Sequence, residues 1–137
     1  MALKRQIGSG PNFTPAYQTS GVPFVTGSNQ AGGLTTSAVK VEFPYVTRFF
    51  QIECTGDKPL VFGFTENAIT DNPSGMQAHC MYVSGSGSTP RLELRCTDIW
   101  ISAIDGNTDY TLIAGLTGIE RGAFPTLSGS NGFHGVG

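Results

Sequence analysis

The side chains in this sequence that could support catalysis or bind a metal are two histidines, three cysteines and ten carboxylates. Nucleophilic catalysis needs a serine or cysteine beside a base. His79 is next to Cys80, but both fall in a run with strand character, where neighbours point to opposite faces, so they cannot meet directly. His79 is expected to face solvent or to be a partly buried hydrogen-bonder, and His134 lies among glycines near the C-terminus. A glycosidase needs two carboxylates across a cleft. Here Glu42, Glu53 and Glu93 fall in strand-like runs and Asp57, Asp71, Asp98, Asp105 and Asp109 near turns, as solvated strand faces and turn caps do. Asp105-Gly106-Asn107-Thr108-Asp109 matches the first half of a calcium loop. The second half fails, because Tyr110 stands where the loop needs Gly and Leu116 where it needs Glu. The Gly-Ser run at 84–88 lacks the Lys and the strand-to-helix setting of a phosphate loop. No catalytic set, metal site or cofactor is expected, and the chain is not expected to be an enzyme.

Contacts are a different matter. Arg91 and Arg95 share a face with Glu93 between them. With a net charge of −2 and a pI near 5.5, cross-strand pairing explains them better than phosphate neutralisation, and no nucleic-acid partner is expected. Trp100 points opposite to Ile99 and Ile101; if those are core, it lies on an outer face. There it could meet a partner or a sugar, or lie beneath a terminal arm.

The elements that must hold these residues are strands. Val39, Val41 and Phe43 alternate with Lys40 and Glu42. Phe50, Ile52 and Cys54 alternate with Gln51 and Glu53, and Leu60, Phe62 and Phe64 flank Val61 and Gly63. Leu92, Leu94 and Cys96 alternate with Arg91, Glu93 and Arg95. Ile99, Ile101 and Ala103 follow, then Tyr110, Leu112 and Ala114. A period of two marks half-buried strands. Weaker runs lie at 78–83 and at 22–26, the latter an edge strand at best because of Pro23. Turn signals separate them at 56–59, 71–75 and 84–88, and Asp105-Gly106-Asn107 suits a tight hairpin. No stretch has helical periodicity. The pattern predicts an all-β fold: an antiparallel, jelly-roll-like β-sandwich of about seven or eight short strands.

At 137 residues the chain allows one domain, and charged residues are only 13%. Residues 6–39 and 122–137 contain no Asp, Glu, Lys or Arg, yet carry spaced aromatics. Disordered tails usually have high net charge and few aromatics, so these read as extended arms lying in grooves of the same chain, a sister copy or a larger partner. The expected layout is an uncharged N-terminal arm over 1–37, a sandwich core over 38–119 and a C-terminal arm over 120–137. The expected partner contacts are Phe13, Tyr17, Phe24, Trp100, Phe124, Leu127 and Phe133. Cys54, Cys80 and Cys96 have no CxxC spacing and read as reduced, buried thiols of a cytosolic product, with a Cys54–Cys96 disulfide as the alternative. Lys4-Arg5 is followed by no apolar stretch, so neither a secretory signal nor a membrane span is expected.

Several runs have a family look: Arg48-Phe49-Phe50-Gln51-Ile52, Pro59-Leu60-Val61-Phe62-Gly63-Phe64, Arg91-Leu92-Glu93-Leu94-Arg95-Cys96, Asp98-Ile99-Trp100-Ile101 and 109–119. Together with Phe124-Pro125-Thr126-Leu127 and the residues to Phe133, this texture resembles small β-sandwich structural proteins of tailed bacteriophages, in particular capsid decoration (cement) proteins. The resemblance implies a virion protein on the capsid surface, made in the host cytoplasm, that bridges neighbouring capsid subunits. It implies the major capsid protein and copies of the chain itself, as dimer or trimer, as partners. The alternatives are a phage collar, tail or fibre-base protein, and a carbohydrate-binding module or adhesin in which Trp100, Tyr82 or Tyr110 stacks on a sugar.

Overall fold

The structure is a computed structural model that describes residues 14–18, 21–28, 33–70 and 79–137. Among the described residues seven strands are formed: β1 (Val22–Gly27), β2 (Val39–Glu42), β3 (Tyr45–Cys54), β4 (Leu60–Gly63), β5 (Met81–Val83), β6 (Asp98–Ala103) and β7 (Tyr110–Glu120). Two five-residue helices, α1 (Thr14–Gln18) and α2 (Glu66–Thr70), and 3-10 turns at Arg121–Ala123 and Gly129–Asn131 complete the elements. The strands make an antiparallel β-sandwich, with one sheet in the order β1-β7-β3 and the other in the order β2-β6-β4-β5.

The alternation sets which side chains meet. In the three-stranded sheet Phe24, Ala114 and Phe50 form one cross-strand row, and Val25, Ile113 and Gln51 form the next. Rows one residue apart face opposite ways, so the first row enters the core and the second faces out. Between the sheets lie Phe43, Phe50, Phe62, Ile52, Leu60, Ile99, Ile101 and Leu112, all fully buried. Their rings meet edge to face: Phe24 on Phe43 with centroids 5.3 Å apart, and Phe50 on Phe62 at 6.1 Å.

β1 is an edge strand, as Pro23 requires. Ser28 N–H donates to the Tyr110 carbonyl at 3.1 Å. Carried back in steps of two, this places Pro23 among the residues whose backbone groups point away from β7, where its missing N–H breaks no bond of the sheet.

The structure departs from the sequence pattern in three places. Residues 91–96 do not form a strand. Leu92 bridges Phe50, but Leu94 N–H then turns back to the Leu92 carbonyl at 2.9 Å, which kinks the chain at Glu93 and throws Leu94 outward while Cys96 returns to the core. The Asp105-Gly106-Asn107 turn is not a tight hairpin, because β6 and β7 lie in different sheets. Thr108 exchanges both backbone bonds with Leu34, at 2.7 and 3.0 Å, and so pairs with the segment before β2 instead of with β6. The helices were invisible to periodicity, since five residues make little more than one turn. Helix α2 covers the outer face of β4, so Val61 is as buried as Leu60 and Phe62. Gly63 permits that closeness, as a Cβ there would stand 2.9 Å from the Ala68 Cβ. The turn cluster at 71–75 and the start of the run at 78 lie outside the described residues.

The three cysteines carry no disulfide; Cys54 and Cys96 are buried and Cys80 half-buried.

Candidate docking groove

A hollow lies between the kinked 91–96 segment and the chain after β7. It measures about 590 Å³ and is lined by Glu93, Leu94, Arg95, Phe124, Pro125, Leu127 and Phe133. Two separate devices hold its walls.

The first wall is fixed by Thr47. A bulge interrupts the β3–β7 register between Tyr45 and Phe49, and at it Thr47 is fully buried. Its hydroxyl donates to the Leu94 carbonyl at 2.8 Å and accepts from Cys96 N–H at 3.0 Å, while its own N–H donates to the Cys96 carbonyl at 3.0 Å. The segment is thus stitched to β3 on both sides of Leu94, which remains 43% exposed at the groove. Satisfied buried hydroxyls of this kind fix position, because leaving either partner unmade costs a desolvated group.

The second wall is fixed by Arg121. One guanidinium nitrogen donates to the carbonyls of Phe43 and Thr97, both at 2.7 Å, and another reaches Asp98 at 2.9 Å. Phe124 then packs with Tyr17 against the buried pair Val46 and Ile119, and Leu127 against the main core. Asn131 donates to the Thr126 carbonyl at 3.1 Å, Phe133 N–H to the Ser128 carbonyl at 3.1 Å, and the Thr65 hydroxyl to the Val136 carbonyl at 2.7 Å. Residues 121–137 therefore follow the chain's own core, with Phe133 left half-exposed over the groove.

A smaller hollow of about 330 Å³, lined by Tyr17, Arg48, Glu93 and Arg95, continues the groove through the two residues they share. Arg48 Nε donates to the Tyr17 carbonyl at 2.6 Å, and the Arg95 guanidinium lies 5.2 Å from the centre of the Tyr17 ring. Glu93 pairs with Arg91 at 2.8 Å, both well exposed, so that pair adds little to stability. Chemically the groove offers aliphatic and aromatic carbon with one carboxylate and one guanidinium at its rim, which suits an apolar segment of another chain.

The residues expected to meet a partner are distributed as follows. Phe124, Leu127 and Phe133 line the groove, and Tyr17 its extension. Phe24 lies on Phe43 at the core. Trp100 stands on the outer side of β6 in a satellite cluster with Val61, Ala68 and Ile69, and Leu127 is the wall between its surroundings and the groove. Phe13 lies outside the described residues. His79 and His134 are exposed.

Three exposed apolar residues escaped the sequence. Leu94 was hidden by an alternation that assigned it to the core. Val25 and Ile113 are register partners on the outer face of the three-stranded sheet, 62% and 43% exposed. Ile113 carried a signal, an apolar residue in the polar phase of its strand, and Val25 followed a proline that lowered its strand character.

No protein-family model matches the chain, and no curated protein matches it. Among solved structures the chain is similar to one described in the words "Bacillus endospore appendages form a novel family of disulfide-linked pili". That similarity has 12% identity and a TM-score of 0.37, over 72% of this chain and 92% of that one.

Proposed function

We propose that the chain is a structural virion protein that binds the outside of a phage capsid and bridges neighbouring capsid subunits. A bridge needs at least two contact surfaces on one subunit. The observation that supports it is the pairing of the apolar groove around Leu94, Phe124 and Phe133 with a separate apolar face at Val25 and Ile113. The low charge supports the same reading, because a solitary domain depends on charge for solubility. Binding of this kind asks for no catalysis; it draws on apolar burial, at about 1.5–3 kcal/mol per fully buried side chain before ordering costs, multiplied over a lattice.

The test is binding to purified heads of the virus that encodes the chain. The expected result is saturation at a copy number matched to the head lattice, with a raised temperature of head disruption. Leu94→Asp in the groove and Ile113→Asp on the outer face should each lower occupancy at least tenfold while the variants stay folded. Chain found only on collars or tails, or no chain on virions at all, overturns the proposal.

A further inference from the structure

Across Leu127 from the groove lies a second hollow, of about 230 Å³, that capsid docking leaves unused. It is lined by Lys40, Phe64, Thr65, Glu66, Trp100 and Leu127, with Thr97, Asp98, Thr126 and Ser128 at its sides. We infer that this hollow is a binding site for one neutral, polyhydroxylated six-membered ring, that is, a single pyranose residue of a glycan.

Size comes first. Drug-sized ligands occupy pockets of roughly 300–1,000 Å³, so this one has room for a ring and little more. Its lining is mostly apolar, and Trp100, Phe64 and Leu127 contribute to it. Aromatic faces of this kind take the C–H face of a pyranose, whose hydroxyls project outward around the ring.

The rim supplies both halves of the hydrogen bonds those hydroxyls make. Lys40 can only donate, the carboxylates of Asp98 and Glu66 only accept, and the hydroxyls of Thr126 and Ser128 do either. A ligand whose polar groups were all donors or all acceptors would leave half of this rim unmatched.

The ion pairs of Lys40 and Asp98 argue against a charged ligand held by either of them. Asp98 is already matched by Arg121 at 2.9 Å, and Lys40 lies 3.5 Å from Glu42 and 3.9 Å from Asp98. The rim therefore presents neither a free cation to a carboxylate ligand nor an unmatched Asp98 to an amine. The same pairs hold the rim in place. Asp98 also accepts from the Thr97 hydroxyl at 2.9 Å, and the Lys40 ammonium stands 5.8 Å from the centre of the Trp100 ring. The rim groups thus come from β2, β6, the start of α2 and the C-terminal segment and converge without needing a ligand to assemble them. Of the other rings that could have stacked on a sugar, Tyr110 is buried, and Tyr82 on β5 is exposed but lines a different hollow.

Trp100 is the only tryptophan, so its emission reports on this hollow alone. The full chain is titrated separately with glucose, galactose, mannose and N-acetylglucosamine, and with sodium acetate and methylammonium chloride as charged controls. The expected result is a saturable change in Trp100 emission with at least one of the sugars and none with either salt. Saturation-transfer NMR with that sugar should give a signal that falls at least fivefold in Trp100→Leu, and also in Ser128→Ala with Glu66→Gln, which keeps the aromatic lining. The paired rim variant keeps the test valid if loss of the indole unfolds the chain. No saturable change with any of the four sugars overturns the inference. So does a response to methylammonium or acetate equal to that of the sugars, or a sugar signal unchanged in the folded rim variant.

Discussion

Arg121 and Cys96 lie close to each other in the fold's dependence on single side chains, and each can be tested alone. Arg121 holds two backbone carbonyls and one carboxylate at 2.7–2.9 Å. Arg121→Met removes these three donated hydrogen bonds and is expected to cost about 1–3 kcal/mol in urea unfolding. Arg121→Lys should recover only part of it, since an ammonium lacks the planar fork that reaches separate acceptors. Burial pushes the Cys96 thiol from its ordinary 9.0 up to about 12, with Thr47 pulling slightly the other way and Asp98 adding to the rise. The folded protein thus favours the neutral thiol. That contribution is whole below 9.0 and is lost as pH climbs from 9.0 through about 12. Stability measured across that window should fall, and Cys96→Ala should flatten the fall in part, because burial also raises the Tyr110 phenol. Near neutral pH, a maleimide should label Cys80 in the native chain and all three thiols in denaturant, as intact mass would show.

Among the elements, β7 is the centre of its sheet and has one unusual position. At Gly115 an added Cβ would stand 2.8 Å from Phe49 Cδ1, and closer still to Cε1, because the Phe49 ring lies across the glycine. The Arg91 guanidinium caps that ring at 5.2 Å. Gly115→Ala must displace the ring and is expected to cost about 1–3 kcal/mol, with part recovered when Phe49→Ala is added. A cost below about 0.5 kcal/mol in denaturant unfolding would mean the ring moves freely. This glycine also shows how far the elements could be foreseen. The alternation at 50–54, 98–103 and 110–114 was plain in the sequence because each strand has one dry face. The kink at Glu93 was not, since it depends on one backbone bond from Leu94 to Leu92 that no side-chain pattern announces. The course of residues 121–137 was equally hidden. It is set by Arg121 reaching carbonyls 78 and 24 residues away, which local composition cannot encode.

For the molecule as a whole, the C-terminal segment links the groove, the core and the Trp100 hollow. Ending the chain after Ala123 removes Leu127 from the core and releases the Thr65–Val136 bond. The shortened chain is expected to keep the sandwich, since all seven strands precede the cut. Its melting temperature should fall by several degrees, each lost kcal/mol being worth about 4–8 °C for a domain near 100 residues. Trp100 emission should shift to the red as its Leu127 wall is replaced by water. An unchanged emission maximum would mean that the indole is shielded by α2 and β4 alone.

Pro23 bears on how such a chain behaves at high concentration. Its ring carbons sit on the outward rim of β1, where an incoming strand would look for a donor. Edge-to-edge growth, the route from sandwich domain to fibril, is obstructed at that rim by one residue. The chain can therefore expose apolar carbon on its sheet face while the neighbouring backbone rim resists runaway polymerisation.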